Sequence, residues 1–296
     1  LAVLVTAPLV TIVNATFHPT ANGGSAWMDV LASRLTENLF LEPTLNTLII
    51  GVCVAGGCVL LGGFLAWLVV MTDMPGRSAI GLMATLPFMI PSFATSLAWG
   101  SLFRNGRVGG GGGLLEGMDL AVPDWLSWGM TPTVIVLIAH YYALAFTVVA
   151  AALATVNSDL IEAARMSGAS SRRVLFGIVL PLVSPALIAG ASLSFAGAVS
   201  NFAAPALLGL PVRMQTLSTR LFGMIEIGQA ERGYVLAILL IAISALLLGL
   251  GNRVLNGRRS FATITGKGAR PPRFALGGAK LPLTALAWLI CIVTTI

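Results

Sequence analysis

Few side chains in this sequence could do chemistry, and the densest group of them lies between two long apolar runs. It reads Asp159-Leu-Ile-Glu162-Ala163-Ala164-Arg165-Met-Ser-Gly168, followed after nine residues by Ile178-Val-Leu180-Pro181. Asp159 can accept a backbone N–H as a helix cap, and Glu162, three residues on, can reach back to the cap's own N–H. Gly168 supplies a left-handed stop. Ala163 and Ala164 favour helix with almost no bulk, so another surface can approach the backbone there. The pattern predicts a helix of two turns, too short to persist alone in water. A partner is therefore expected to hold it.

The remaining candidates are scattered. His140, beside Tyr141 and Tyr142, sits inside an apolar run, and an ionisable residue at that depth is by default a candidate for a solute pathway. A neutral histidine bonded to a neighbouring helix fits the same residues. Asn201 and Phe202 could border a route through the membrane, or cap a turn and pack. Cys53, Cys58 and Cys291 lie in apolar runs with no Cys-x-x-Cys and no Cys/His pairing, which argues against a disulfide framework or a zinc site. The run from Gly109 to Gly113 has no Gly-Lys-Ser/Thr after it and reads as a flexible surface loop rather than a phosphate loop. No nucleophile has a base at hand, and there is no Walker A sequence and no acidic pair. The expectation is a chain that is not an enzyme, with no catalytic residue, metal or cofactor of its own, so its energy must come from another subunit.

The elements that would position these residues follow from composition. Of 296 residues, 57% are hydrophobic and 9% charged. A soluble domain carries about 25% charged residues, so the fold class expected is an all-α, polytopic transmembrane helical bundle. Apolar runs place spans at 1–17, 44–71, 79–103, 131–156, 174 to about 209 and 234–251, with the start of a seventh from 281. Pro87 and Pro91 should kink the third, and Pro181, Pro185 and Pro205 the fifth. The domain reading is a first span and extracytoplasmic loop (1–43) and a core transmembrane domain (44–256) with the polar loop 157–173. A basic linker (257–280) and the start of a second transmembrane half (281–296) follow. Because the chain begins at Leu1 and stops inside an apolar run, it is expected to be a fragment.

A net charge of +6 could suggest a nucleic-acid partner, but the basic residues gather at helix ends and in one linker. With alternating loops, the turn after the second span, the polar loop and the linker together hold 11 basic against 3 acidic residues. The opposite loops hold 6 basic against 8 acidic. Lys and Arg favour the cytoplasm, so the polar loop is expected to be cytoplasmic, the partner at large the lipid bilayer, and no nucleic acid is implied.

Glu162-Ala163-Ala164, Gly168 and, nine residues on, Ile178-x-Leu180-Pro181 resemble the cytoplasmic loop of binding-protein-dependent ABC importer permeases. The resemblance implies the type I importer permease fold in a bacterial inner membrane, with this loop forming a coupling helix that seats in a cytoplasmic ABC ATPase dimer. It implies that Asp159, Glu162, Ala163, Ala164, Arg165 and Gly168 serve ATPase coupling, and that Ile178, Leu180 and Pro181 set the angle of the following span. ATP would be bound on the partner subunit, and solute would arrive on a periplasmic binding protein. Arg165, Arg172 and Arg173 could add ion pairs to that partner, or act as cytoplasmic anchors. Residues 181–190, 202–209 and the Thr-Gly-Lys of the linker look like the ferric-iron branch, whose permeases fuse two such halves in one chain. That implies ferric iron as solute, with thiamine, polyamine, phosphonate or sulfate as alternatives. A non-transporting membrane anchor or sensor is the reading of another class.

Overall fold

The computed structural model describes residues 2–20, 23–257 and 274–295, and these are helical apart from turns and two isolated bridges. Most of the linker, including Arg258, Arg259, Lys267 and Arg270, lies outside the described residues. The main helices are α1 (Ala2–Ala15), α2 (Ala26–Leu31), α3 (Glu42–Met71), α4 (Arg77–Met83) and α5 (Ser92–Phe103). They are followed by α6 (Met130–Ala154), α7 (Ser158–Met166), α8 (Leu180–Ser200), α9 (Leu217–Glu226), α10 (Ala230–Gly257) and α11 (Lys280–Thr295). Among the described residues, five helices are long and apolar enough to cross a membrane, and six if a bent pair counts as one span. α1, with 14 described residues, is an apolar helix at the place of the expected first span.

The bent pair is the third span. Arg77–Met89 and Ser92–Phe103 meet at 95°, a break rather than the expected kink. Pro91 has no N–H to donate to Pro87, and its ring excludes Ile90 from helical geometry. Ile90 is accordingly extended, with φ −83° and ψ 125°.

The chain forms two compact units, Leu1–Val52, Ser96–Val136 and Ala198–Leu247 in one, and Cys53–Thr95, Leu137–Gly197 and Leu248–Ile296 in the other. The first unit has an apolar core of Ala26, Val30, Leu39, Leu217, Met224, Val235 and Leu236. Its polar groups are tied across long sequence distances. Thr47 Oγ1 accepts the Leu217 N–H at 2.9 Å, and Asn46 Nδ2 donates to the Gln215 carbonyl at 2.9 Å. Arg232 and Asp29 form an ion pair at 2.8 Å. In the loop after α5, buried Asn105 donates to the Val122 carbonyl and to Asp124, and accepts from Trp128 Nε1 at 2.9 Å. Ser127 Oγ donates to the Phe103 carbonyl at 2.7 Å. The expected flexible loop is therefore pinned at both ends by Asn105, whose small amide reaches partners that no short-range pattern could reveal.

In the second unit, α3, α6 and α8 pack through glycine. A Cβ on Gly62 would stand 2.6 Å from the Tyr142 carbonyl and 2.7 Å from the Phe146 nitrogen. One on Gly190 would stand 3.0 Å from Ala145 Cα. Close backbone approach of this kind holds helices together where lipid is as apolar as leucine. α11 joins the same unit, with Tyr142 Oη 3.0 Å from Thr294 Oγ1 and Cys291 Sγ directed at the Ile80 carbonyl.

Candidate functional site

The polar segment is a helix, α7, with its start one step from where the sequence put it. Asn157 is the cap, in extended geometry, and its Oδ1 accepts the Asp159 N–H at 2.9 Å. Asp159 lies inside the first turn, where a carboxylate favours the positive end of the helix dipole. The expected reciprocal pair of Asp159 and Glu162 is therefore absent, because the asparagine amide takes the capping role earlier. The other end is as expected. Gly168 has φ +81°, and the Ala169 N–H reaches back to the Ala164 carbonyl at 3.0 Å, closing the helix in a Schellman-type turn.

α7 is amphipathic in its burial. Ile161 is wholly buried and anchors the helix to its unit. Glu162, Ala163 and Met166, the last 84% exposed, form an open outer face. Arg165 turns along the helix flank so that its guanidinium lies 4.8 Å over the ring of Phe274. The site's second part is separate from that face. Ser170 Oγ accepts the Arg173 N–H at 3.4 Å and opens a helix that runs without interruption from Ser171 to Ser200. Arg172 and Arg173 are exposed on its first turn. Ile178 is half-buried in a π turn, Leu175–Val179, while Leu180 and Pro181 are exposed where α8 begins.

Pro181 sits within one continuous helix, directly after that π turn. A proline ring crowds the carbonyl four residues earlier, here Gly177, which lies inside the widened turn. The helix absorbs Pro181 by adding a residue to one turn instead of breaking. Leu180 also lines an apolar groove of about 330 Å³ with Val59, Phe64, Trp67, Phe176 and Val183.

His140 is 7% exposed and packs against Phe88 and Tyr141, at ring distances of 5.7 and 4.5 Å. It lies beside the break in the third span, and its buried Nδ1 has no hydrogen-bond partner among the described residues. Asn201 ends α8. Its Oδ1 accepts the Ala204 N–H at 3.1 Å and its carbonyl accepts from Ser218 Oγ at 2.9 Å, so it caps the turn that follows. His140 belongs to the same unit as α7, and Asn201 to the other.

What the sequence did not announce is the return of the chain to α7 after the linker. The Phe274 N–H donates to the Met71 carbonyl at 2.7 Å, and the Asp73 N–H to the Phe274 carbonyl at 3.3 Å. Asp73 Oδ1 accepts the Leu276 N–H and its Oδ2 the Lys280 ammonium, both at 3.0 Å. The Leu276 N–H first and Lys280 next hold the Asp73 carboxyl below the usual carboxylate range. A depressed carboxylate contributes stability above its ordinary pKa and loses it as pH falls through the folded value. Protection of the Leu276 amide, followed by hydrogen exchange corrected for intrinsic rates, is thus expected to stay constant down to about pH 5 and to fall only below about pH 4.

Helices of membrane-spanning length with a capped, mostly exposed helix between two of them define a polytopic membrane protein. Residues 58–261 match the family described as "Binding-protein-dependent transport system inner membrane component", and the chain belongs to it. It is 28% identical over 177 residues to the putative 2-aminoethylphosphonate transport system permease protein PhnU of Salmonella typhimurium, covering 57% of this chain and 59% of the relative. The chain thus spans about three fifths of that relative's length. It is 29% identical over 196 residues to the sulfate transport system permease protein CysT of the same organism, covering 63% and 65%. Its fold matches a bacterial ABC transporter structure involved in importing the acidic polysaccharide alginate, with TM-score 0.65, 15% identity, and 86% and 90% of the two chains covered. This is the type I importer permease fold, and the protein is a multi-pass inner-membrane component.

Proposed function

We propose that this chain forms the solute pathway of an ATP-driven importer and receives the movements of a separate ATPase through α7. The observation that carries this reading is the outer face of Glu162, Ala163 and Met166 on a short, capped helix anchored through Ile161 and Arg165. An exposed face on a short projection suits a groove on a partner, and the basic excess of the loops around it fits the cytoplasmic side. A cytoplasmic ABC ATPase dimer is the partner of that chemistry, with ATP bound there. A periplasmic solute-binding protein would act on the opposite loops. A second permease half completes the pathway, and α11 is read as the first helix of that half within the same chain.

Ferric iron is the solute this reading favours, supported by residues 181–190 and 202–209 and the Thr-Gly-Lys of the linker. A small oxyanion is the second reading, favoured by relatives named for 2-aminoethylphosphonate and sulfate. Uptake into proteoliposomes holding the permease, its ATPase and its binding protein decides between them. ATP-dependent accumulation of ferric iron and not of sulfate or 2-aminoethylphosphonate is expected, and the converse pattern overturns the iron reading. No ATP-dependent uptake of any solute, with ATPase bound, overturns the importer reading and favours a non-transporting anchor.

A further inference from the structure

We propose that Phe274 and Lys280 are positioning residues for the coupling helix: the segment from Phe274 to Lys280 is a strut that joins α7 to the turn after α3 and to the start of α11. The inference rests on the coupling role of α7 and adds a second mechanical route from it. Covalently, α7 reaches the bundle only through its two chain neighbours, α6 and the helix beginning at Ser171. The strut adds a noncovalent path to an element that follows it by more than a hundred residues of sequence.

Three kinds of contact converge there. The first is the cation–π contact, with the Arg165 guanidinium 4.8 Å over a Phe274 ring that is itself buried. Arginine on an aromatic face combines a fixed planar geometry with a charge that is not titrated away. The second is backbone pairing, in which the Phe274 N–H and carbonyl bond Met71 and Asp73 across an isolated parallel bridge to Thr72. The third is the Asp73 carboxylate, which grips the Leu276 N–H with one oxygen and the Lys280 ammonium with the other. Lys280 is the first residue of α11, so the grip fixes where that helix starts. Gly76, in the same turn, lies against Trp288 of α11 at 3.6 Å from a notional Cβ. A displacement of α7 that carries Arg165 therefore pulls on Phe274, and through it on α11.

This arrangement gives Arg165 a role distinct from ion pairing with the ATPase. An exposed ion pair to a partner needs only charge, whereas the strut needs the aromatic face. The two differ at position 274, where the strut predicts a loss on removing the ring and an ion pair to the partner predicts no change.

The test uses the assembled permease, ATPase and binding protein in proteoliposomes, reading solute uptake per ATP hydrolysed. Phe274→Leu keeps an apolar side chain, though a smaller one, and removes the ring face. It is expected to insert and bind ATPase normally while uptake per ATP drops about 5-fold. Phe274→Trp, which retains a π face, is expected to stay within about 2-fold of the parent. Exchanging the charges in Asp73→Lys with Lys280→Asp is expected to restore more coupling than either single reversal. Gly168→Val is carried alongside. If it uncouples transport and Phe274→Leu does not, the strut is wrong and the coupling role of α7 stands. If neither changes uptake per ATP, the coupling role itself is wrong. Equal losses in the Leu and Trp variants also overturn the strut.

Discussion

Gly168→Val is expected to yield a permease that inserts and folds normally yet takes up solute at least about 10-fold more slowly, with little loss in the ATPase's own turnover. The reason is local. At φ +81° nothing lies within 4 Å of a notional Cβ, so the substitution meets no steric neighbour, only the backbone penalty. A left-handed L-residue costs about 1–2 kcal/mol, enough to move the population of correctly closed α7 ends by about 10-fold. The Schellman-type bond from Ala169 to Ala164 is what the strain opens. Gly168→Asn, which tolerates the left-handed region, is expected to retain most of the uptake. Thermal stability of the purified permease separates this from general damage: it should match the parent in both variants. A Val variant that transports normally means the closure of α7 is not needed for coupling.

The largest effect on the bundle is expected at Gly62. Its notional Cβ faces two backbone atoms, the Tyr142 carbonyl and the Phe146 nitrogen, and backbone cannot rotate aside as a side chain can. Gly62→Ala is expected to cost about 1–3 kcal/mol by overpacking, and Gly62→Leu to abolish assembly of α3 with α6. Gly56, six residues earlier on the same helix, has nothing within 4 Å of a notional Cβ. Gly56→Ala serves as the neutral control, and helix propensity gives it a slight gain. Detergent-solubilised protein followed by thermal aggregation checks both. Equal stabilities for the Gly56 and Gly62 alanine variants contradict the packing described.

These effects also show which parts of the molecule could be read from residue order. The α7 segment was legible because everything that defines it is local: its alanines, its Gly168 stop and the spacing to Pro181. The break in the third span was legible in place, since Pro91 must disrupt its own helix, but not in size, because 95° depends on what the two pieces pack against. The π turn around Gly177, just before Pro181, was not legible in the sequence. The cap moved from Asp159 to Asn157 because both residue types cap well and only the chain path chose between them.

Contacts across long sequence distances were not legible at all. Asn105 binding Asp124 and Trp128, His140 against Phe88, and Phe274 under Arg165 join residues that carry no shared spacing. Charge counts need no contacts, because the membrane itself sorts lysine and arginine by side.

The most direct test of the account is the sidedness and occupancy of α7's outer face. A single cysteine replaces Met166, 84% exposed, in a background from which Cys53, Cys58 and Cys291 have been removed. A membrane-impermeant maleimide is expected to leave intact cells unlabelled, to label inverted vesicles stripped of ATPase, and to be blocked when the ATPase is added back. Labelling in intact cells, or labelling of inverted vesicles that the ATPase does not block, contradicts it.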